Sequence, residues 1–199
     1  MSGAAVRRRR LAVLVAVVVV GVAALITAPL ARRAIQHFEL PLHYAGIIRR
    51  QAAEKHLDPA LIAAVIYSET RFRPRTSDTG AEGLMQLEPA TAEFLAHRSG
   101  GYQFNVSDLS DPAVNIAYGA YYLRYLLSEY KGNELLALAA YNGGETNVNR
   151  WLARAAAEHR PFTLSDIPSG LVRAYVVEVR EKQRDYRSHY ASQLGLSDS

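Results

Sequence analysis

Asp58-Pro59 followed by Ala60-Leu61-Ile62-Ala63-Ala64-Val65-Ile66 restricts the fold more than any other segment. An aspartate ahead of a proline at the first helical position is a strong helix start. The helix it opens, Pro59 to about Glu69, is apolar on nearly every face, with Leu61, Ile62, Val65 and Ile66 spread around it. A helix of that kind is unstable on a surface and belongs in the middle of a core. Its end delivers one carboxylate, Glu69, whose i−3 and i−4 neighbours are Ile66 and Val65. Two readings of that acid stay open from the residues alone. It is solvated at a helix terminus, or apolar surroundings raise its pKa and keep it protonated. A carboxylic acid protonated near neutral pH can donate to a leaving oxygen, as glycoside cleavage requires.

The remaining pattern is helical. A helix is predicted from Tyr44 to His56, with Ile47, Ile48 and Ala52 on one side and Arg49, Arg50 and Glu54 on the other. Arg71 to Gly83 reads as loop, punctuated by Pro74, Ser77, Asp78, Gly80 and Gly83. Pro89 opens a helix to about His97, ended by Ser99-Gly100-Gly101. Asp111-Pro112 repeats the cap-plus-proline start, and a long helix runs to about Tyr130. Asn133 starts another through Asn142, closed by Gly143-Gly144. Two more are expected over about Thr146 to Ala157 and Gly170 to Tyr190. No alternating strand pattern is evident. The fold class is therefore all-α, one globular domain over residues 44–192 with short connections. Tyr118, Tyr121, Tyr122 and Tyr125 fall at i, i+3, i+4 and i+7 of the long helix, which reads mainly as a core-facing stripe. Trp151 also reads as packing.

Charge is unevenly placed. Six of the 23 basic residues precede His37 and no acid does, which leaves 17 basic against 19 acidic residues for the rest. The net +4 belongs to the amino terminus, so no nucleic-acid surface is expected. Residues 11–30, LAVLVAVVVVGVAALITAPL, are an uncharged apolar run of about the length that spans a bilayer. Arg7 to Arg10 precede it and Arg32 and Arg33 follow it. The expected layout is a basic cytoplasmic segment (1–10), a single transmembrane anchor in the cytoplasmic membrane (11–30), a juxtamembrane linker (31–43), the folded domain on the outer side, and a tail (193–199). Cleavage of residues 11–30 as a signal sequence, giving a secreted chain, is the alternative.

Several chemistries lack their signatures. There is no cysteine, so no disulfide framework, thiolate metal site or lipidated cysteine is expected. The six histidines never fall at i, i+4, and no phosphate-binding glycine loop or GxSxG elbow occurs. No metal and no cofactor is expected. Carboxylate chemistry remains, with Glu69 the acid in the most apolar setting.

Glu69-Thr70-Arg71-Phe72-Arg73-Pro74, Ser77, and Gly80-Ala81-Glu82-Gly83-Leu84-Met85-Gln86 together resemble the catalytic signature of the soluble lytic transglycosylase family. Asn115-Ile116-Ala117-Tyr118-Gly119 with Tyr122-Leu123, Ala139-Ala140-Tyr141-Asn142-Gly143-Gly144 with Asn147, Val148 and Trp151, and Ile167-Pro168 with Tyr175-Val176 resemble its later blocks in the same order. The resemblance implies a lysozyme-like helical domain acting on peptidoglycan glycan strands. It implies Glu69 as the single catalytic acid and base. Thr70, Ser77, Met85, Gln86, Tyr141 and Asn142 would contact substrate. The implied reaction cuts the β-1,4 bond between N-acetylmuramic acid and N-acetylglucosamine without water, closing a 1,6-anhydro ring on the muramoyl product.

The sequence departs from that family at three points. Thr70 stands where serine is usual, the Pro74–Ser77 loop is one residue short, and Leu171 and Val172 replace a usual Glu-Thr pair. Two other functions fit the same scaffold. A goose-type-lysozyme-like hydrolase would need a second carboxylate, for which Asp78 and Glu82 are the candidates. A non-catalytic envelope protein would bind glycan without cutting it.

Overall fold

The computed structural model describes residues 40–100 and 103–196. Segments 1–10 and 11–30, and most of the 31–43 linker, lie outside the described residues. Among the described residues no helix is long and apolar enough to cross a membrane. All seven predicted helices are present: α1 (Ala45–Lys55), α2 (Pro59–Thr70), α3 (Pro89–Ser99), α4 (Pro112–Glu129), α5 (Glu134–Gly143), α6 (Glu145–Ala157) and α7 (Gly170–His189). A further short helix, α8 (Ala191–Leu194), and two 3-10 turns (Val106–Ser110 and Leu164–Asp166) complete the helical elements among the described residues.

Helix starts follow the caps in the sequence. The Asp58 carboxylate accepts from Ala60 N (2.9 Å), Asp111 from Ala113 N and Val114 N, Asn133 from Leu136 N (3.2 Å), and Ser169 from Val172 N (3.3 Å). Each bond satisfies an amide that the first helical turn leaves without an intrahelical acceptor.

Helix α2 occupies the centre, as its composition demands. Every residue from Ala60 to Tyr67 is buried. Its most extensive partner is α7, with α1 also against it. The cap residue of α2 joins the two central helices directly: the second Asp58 oxygen accepts from Gln183 Nε2 and Arg187 Nη2, both at 2.8 Å. One side chain thus starts α2 and fixes its register on α7.

The structure corrects the sequence reading in three places. The chain is mostly rather than wholly α-helical, because the 71–83 loop contains an antiparallel hairpin, β1 (Arg75–Thr76) and β2 (Glu82–Gly83), with Arg75 opposite Gly83 and Thr76 opposite Glu82. Two-residue strands are too short to show alternation, so the sequence carried no signal for them. The packed region also runs past 192. Leu194 is buried, α8 packs on α1 and α7, and Arg49 Nη1 donates to the Gln193 carbonyl. Finally, the tyrosine stripe of α4 faces the core only in part: Tyr118 and Tyr122 pack against the buried cluster of Leu87, Ala92 and Leu109, and none of the four rings is fully buried. Tyr118, Tyr121, Tyr122 and Tyr125 are all half-buried, whereas Ile116, Ala120, Leu123 and Leu126 make the core face. The stripe lies one residue round the helix from that face, a rotation of about 100° that periodicity alone leaves ambiguous.

Candidate active site

Glu69 is the penultimate residue of α2, at the point where the buried helix meets the surface. It opens onto a cleft of about 500 Å3. Residues of α2, the hairpin, the turn after β2, α3, α4 and the end of α5 line this cleft. The chain leaves Glu69 through two consecutive left-handed residues, Arg71 (φ 51°) and Phe72 (φ 61°). Neither is glycine, so this exit is strained. Burial of the Phe72 ring beside Tyr186 (6.1 Å between centroids) helps hold it.

Thr70 closes the helix from within. It is buried, and its hydroxyl lies 2.7 Å from the Leu84 carbonyl and 3.1 Å from the Ile66 carbonyl. It ties the acid-bearing helix end to the hairpin and does not reach the cleft, which corrects its assignment as a substrate contact. Met85 is corrected in the same way. Its side chain is fully buried against Gly119, where a Cβ would stand only 2.3 Å from its sulfur. What Met85 gives the site is its carbonyl, which accepts from the Tyr141 hydroxyl at 2.9 Å.

The fully buried Asn115 organises the hairpin from beneath. Its Oδ1 accepts from Met85 N (2.8 Å), and its Nδ2 donates to the carbonyls of Glu82 (2.9 Å) and Leu109 (3.1 Å). This geometry needs a glycine at 83. That residue has φ +77°, and an added Cβ would lie 2.1 Å from Asn115 Nδ2. The turn then places Gln86 in a left-handed conformation (φ 48°). Its amide nitrogen donates to the Arg75 carbonyl (2.7 Å) and the Gly83 carbonyl (2.9 Å), offsetting that strain and fixing the side chain at the cleft wall.

Of the residues expected to contact substrate, the cleft brings together Ser77, Gln86, Tyr141 and Asn142 with Glu69. Ser77 holds the hairpin tip, its hydroxyl accepting from Ala81 N at 2.9 Å and lying 3.0 Å from the Thr79 hydroxyl. The residue-level reading missed Thr79 and Thr91, which line the cleft together with Tyr122 of the α4 stripe, and Tyr175, which stands beside the acid. Tyr175 had a signal in the Tyr-Val pair of the last block. The threonines had none.

The electrostatics favour a protonated Glu69. Burial raises its carboxyl to a pKa of about 7. The Tyr175 hydroxyl and the Arg75 guanidinium pull it back, and the charge of Glu178, one turn along α7 from Tyr175, pushes it up. No hydrogen bond of ordinary geometry joins the buried Tyr175 hydroxyl to the carboxyl or to any other described group. It is a neighbour near enough to favour the carboxylate without being its settled partner. Both Tyr141 and Tyr175 are held well above the usual phenol range, first by burial and then by the charge of Glu69. The acid therefore sits between two neutral phenols.

Neither candidate second carboxylate is placed for chemistry. Asp78 is exposed at the hairpin tip, and Glu82 accepts from the Thr76 hydroxyl (2.9 Å) on the hairpin; neither lines the cleft. Glu88 does, but it is exposed at the start of α3. Leu171 is 83% exposed and Val172 is buried near Gly143, so the two replacements in the last block put no polar group into the cleft.

Known proteins resemble this chain in sequence and fold. The profile of the family described as Transglycosylase SLT domain matches residues 46–161. The soluble lytic murein transglycosylase of Escherichia coli (strain K12) is 30% identical over 168 residues, covering 81% of this chain and 26% of that protein. Among solved structures, lytic transglycosylase Slt from Pseudomonas aeruginosa, an inactive Glu-to-Gln mutant, superposes with a TM-score of 0.70 at 29% identity, over 82% of this chain and 26% of its own. The 70 kDa soluble lytic transglycosylase from Escherichia coli gives 0.71 at 27% identity, over 87% and 29%. The helical fold is thus lysozyme-like. The chain spans about a quarter of the length of these relatives.

Proposed function

Because the chain belongs to the Transglycosylase SLT domain family, we propose that it is a peptidoglycan lytic transglycosylase using Glu69 as its one acid and base. The observation that carries this reading is a single carboxyl, raised to a pKa of about 7, at the wall of a strand-sized cleft. In the first step Glu69 donates its proton to the glycosidic oxygen between N-acetylmuramic acid and N-acetylglucosamine. The C1–O bond breaks and positive charge develops on the muramoyl ring, stabilised by its 2-acetamido group. In the second step the Glu69 carboxylate takes the proton from the muramoyl C6 hydroxyl. That oxygen closes on C1 as a 1,6-anhydro ring, and Glu69 ends protonated as it began. No water is consumed.

This chemistry accounts for one carboxylate where most glycosidases place two. Tyr141 and Tyr175 serve it by keeping water from the acid while supplying dipoles that ease its passage through the charged form. Gln86, Ser77 and Asn142 offer polar groups along the cleft wall for the sugar substituents. The apolar run at 11–30, flanked by arginines, supports tethering of this domain on the outer face of the cytoplasmic membrane.

Digestion of purified sacculi by the full chain in detergent, followed by mass spectrometry, tests the reading. Anhydromuramoyl ends are expected, and Glu69→Gln should release none. Products carrying only reducing ends from added water would replace it with a hydrolase. Undiminished digestion by Glu69→Gln would remove the acid from its role. Glycan binding without cutting by either form would make the chain a binding protein.

A further inference from the structure

The cleft does not stop at Thr91 and Tyr122. Both residues also line a second hollow of about 310 Å3, completed by Ala90, Phe94, Tyr125 and Glu145. Phe94 is 44% exposed, one of few large apolar side chains left open to solvent. Its neighbours explain why it stays there. The Tyr125 ring meets it edge to face at 5.4 Å, and Tyr122 lies parallel to Tyr125 at 6.2 Å with 12° between the planes. Arg98 covers Tyr125 at 5.1 Å. These contacts fix the platform and leave the Phe94 ring accessible. Beside it, Glu145 Oε1 accepts from the Tyr125 hydroxyl at 3.2 Å, while Oε2 has no hydrogen bond among the described residues.

We propose that this hollow is a distal glycan subsite, in which one N-acetylhexosamine of the bound strand stacks its apolar face on Phe94 and donates a hydroxyl or amide proton to Glu145. The inference rests on the proposed function and extends it to the length of strand recognised. An aromatic face, a carboxylate with a free oxygen and the Thr91 hydroxyl form an amphipathic set suited to a pyranose ring, which is apolar on its faces and polar at its edge. Continuity with the cleft argues for the same strand as occupant, because a chain leaving the cleft past Thr91 and Tyr122 enters the hollow directly. Partial burial raises the Glu145 carboxyl, and the charge of Glu129 adds to the effect after the Tyr125 hydrogen bond is counted against it.

Binding separates this subsite from the chemistry. In the full chain carrying Glu69→Gln, calorimetry with peptide-free glycan fragments of four and eight sugars should show tighter binding of the longer one. Adding Phe94→Ala should reduce the eight-to-four affinity ratio by about tenfold, the scale of one lost stacking contact. Glu145→Gln should reduce it less, since the amide oxygen still accepts. Melting curves that match the parent would show that the variants fold; should Phe94→Ala fail to fold, Phe94→Gln replaces it. An unchanged ratio, or equal weakening toward both fragments, overturns the subsite. An effect seen only with peptide-bearing strands also overturns it, assigning the hollow to the stem peptide. If the reading of the chain as a lyase were wrong, the unmutated chain would release no anhydro products while this length dependence of binding persisted.

Discussion

Glu69 is expensive where it stands. Its ordinary carboxyl pKa of 4.5 rises to about 7 in the folded chain, so the folded state holds this proton more tightly than the unfolded state does. Below pH 4.5 both states carry the proton and the acid exacts no penalty. Between 4.5 and 7 the unfolded chain ionises freely and the folded chain resists, so stability falls across that window and stays lower above it. The loss amounts to about 3–4 kcal/mol, from the size of the shift. Glutamine at 69 cannot ionise. Glu69→Gln should therefore unfold like the parent at pH 4 and at higher denaturant than the parent at pH 8, in urea titrations at each pH. Equal stabilities at pH 8 would mean that the acid is solvated and ordinary. In the proposed mechanism cleavage requires protonated Glu69, so kcat/KM on soluble glycan strands should be level at mildly acid pH and fall about tenfold per unit above pH 7. A site that sacrifices stability to keep an acid neutral is a common trade between function and folding.

The acid is placed by two elements that differ in how plainly the sequence announces them. Helix α2 was legible from Asp58-Pro59 and its run of apolar residues, as were the other six long helices from caps, glycine ends or the spacing of their apolar residues. The hairpin was not legible, because two-residue strands carry no period, and its side-chain roles depend on contacts distant in sequence. Asn115 reaches residues 30 and 33 positions back. The Thr70 and Met85 positions matched a family pattern, which identifies residues that matter without saying which way they face; the structure turns both inward. Their roles predict distinct losses. Asn115→Ala leaves Met85 N and two carbonyls without partners and should lower stability by about 3 kcal/mol. Gly83→Ala drives a Cβ into Asn115 in a backbone conformation that alanine resists, and should cost about as much while weakening cleavage, because the turn that carries Gln86 and Met85 must shift. Thr70→Val removes a buried hydroxyl from the Leu84 carbonyl and should lower stability by about 1–2 kcal/mol while leaving KM unchanged. A raised KM in Thr70→Val would return that residue to the substrate side of the wall.

At the scale of the whole chain, function depends on where the cleft can reach. The acidic residues lie entirely beyond residue 37, the six arginines before it flank the apolar run at 11–30, and the rest of the chain carries a net −2. Retention of Arg7 to Arg10 on the cytoplasmic side, with translocation of the remainder, is the orientation such a distribution favours. A 13-residue linker over 31–43 spans at most about 45 Å when fully extended. A retained anchor would therefore restrict the cleft to glycan strands close to the outer face of the membrane, and a released chain would have no such limit. Retention predicts that the chain stays in the membrane pellet after alkaline carbonate extraction. The intact mass should include residues 11–30, and protease added to spheroplasts should remove the domain while sparing the amino terminus. A carbonate-soluble product beginning just after Ala28 would show cleavage as a signal sequence instead. The two outcomes separate in the cell wall as well. A tethered lyase leaves anhydro ends concentrated in the membrane-proximal glycan, whereas a free one distributes them through its depth, and lengthening the linker by flexible residues should move the first pattern toward the second.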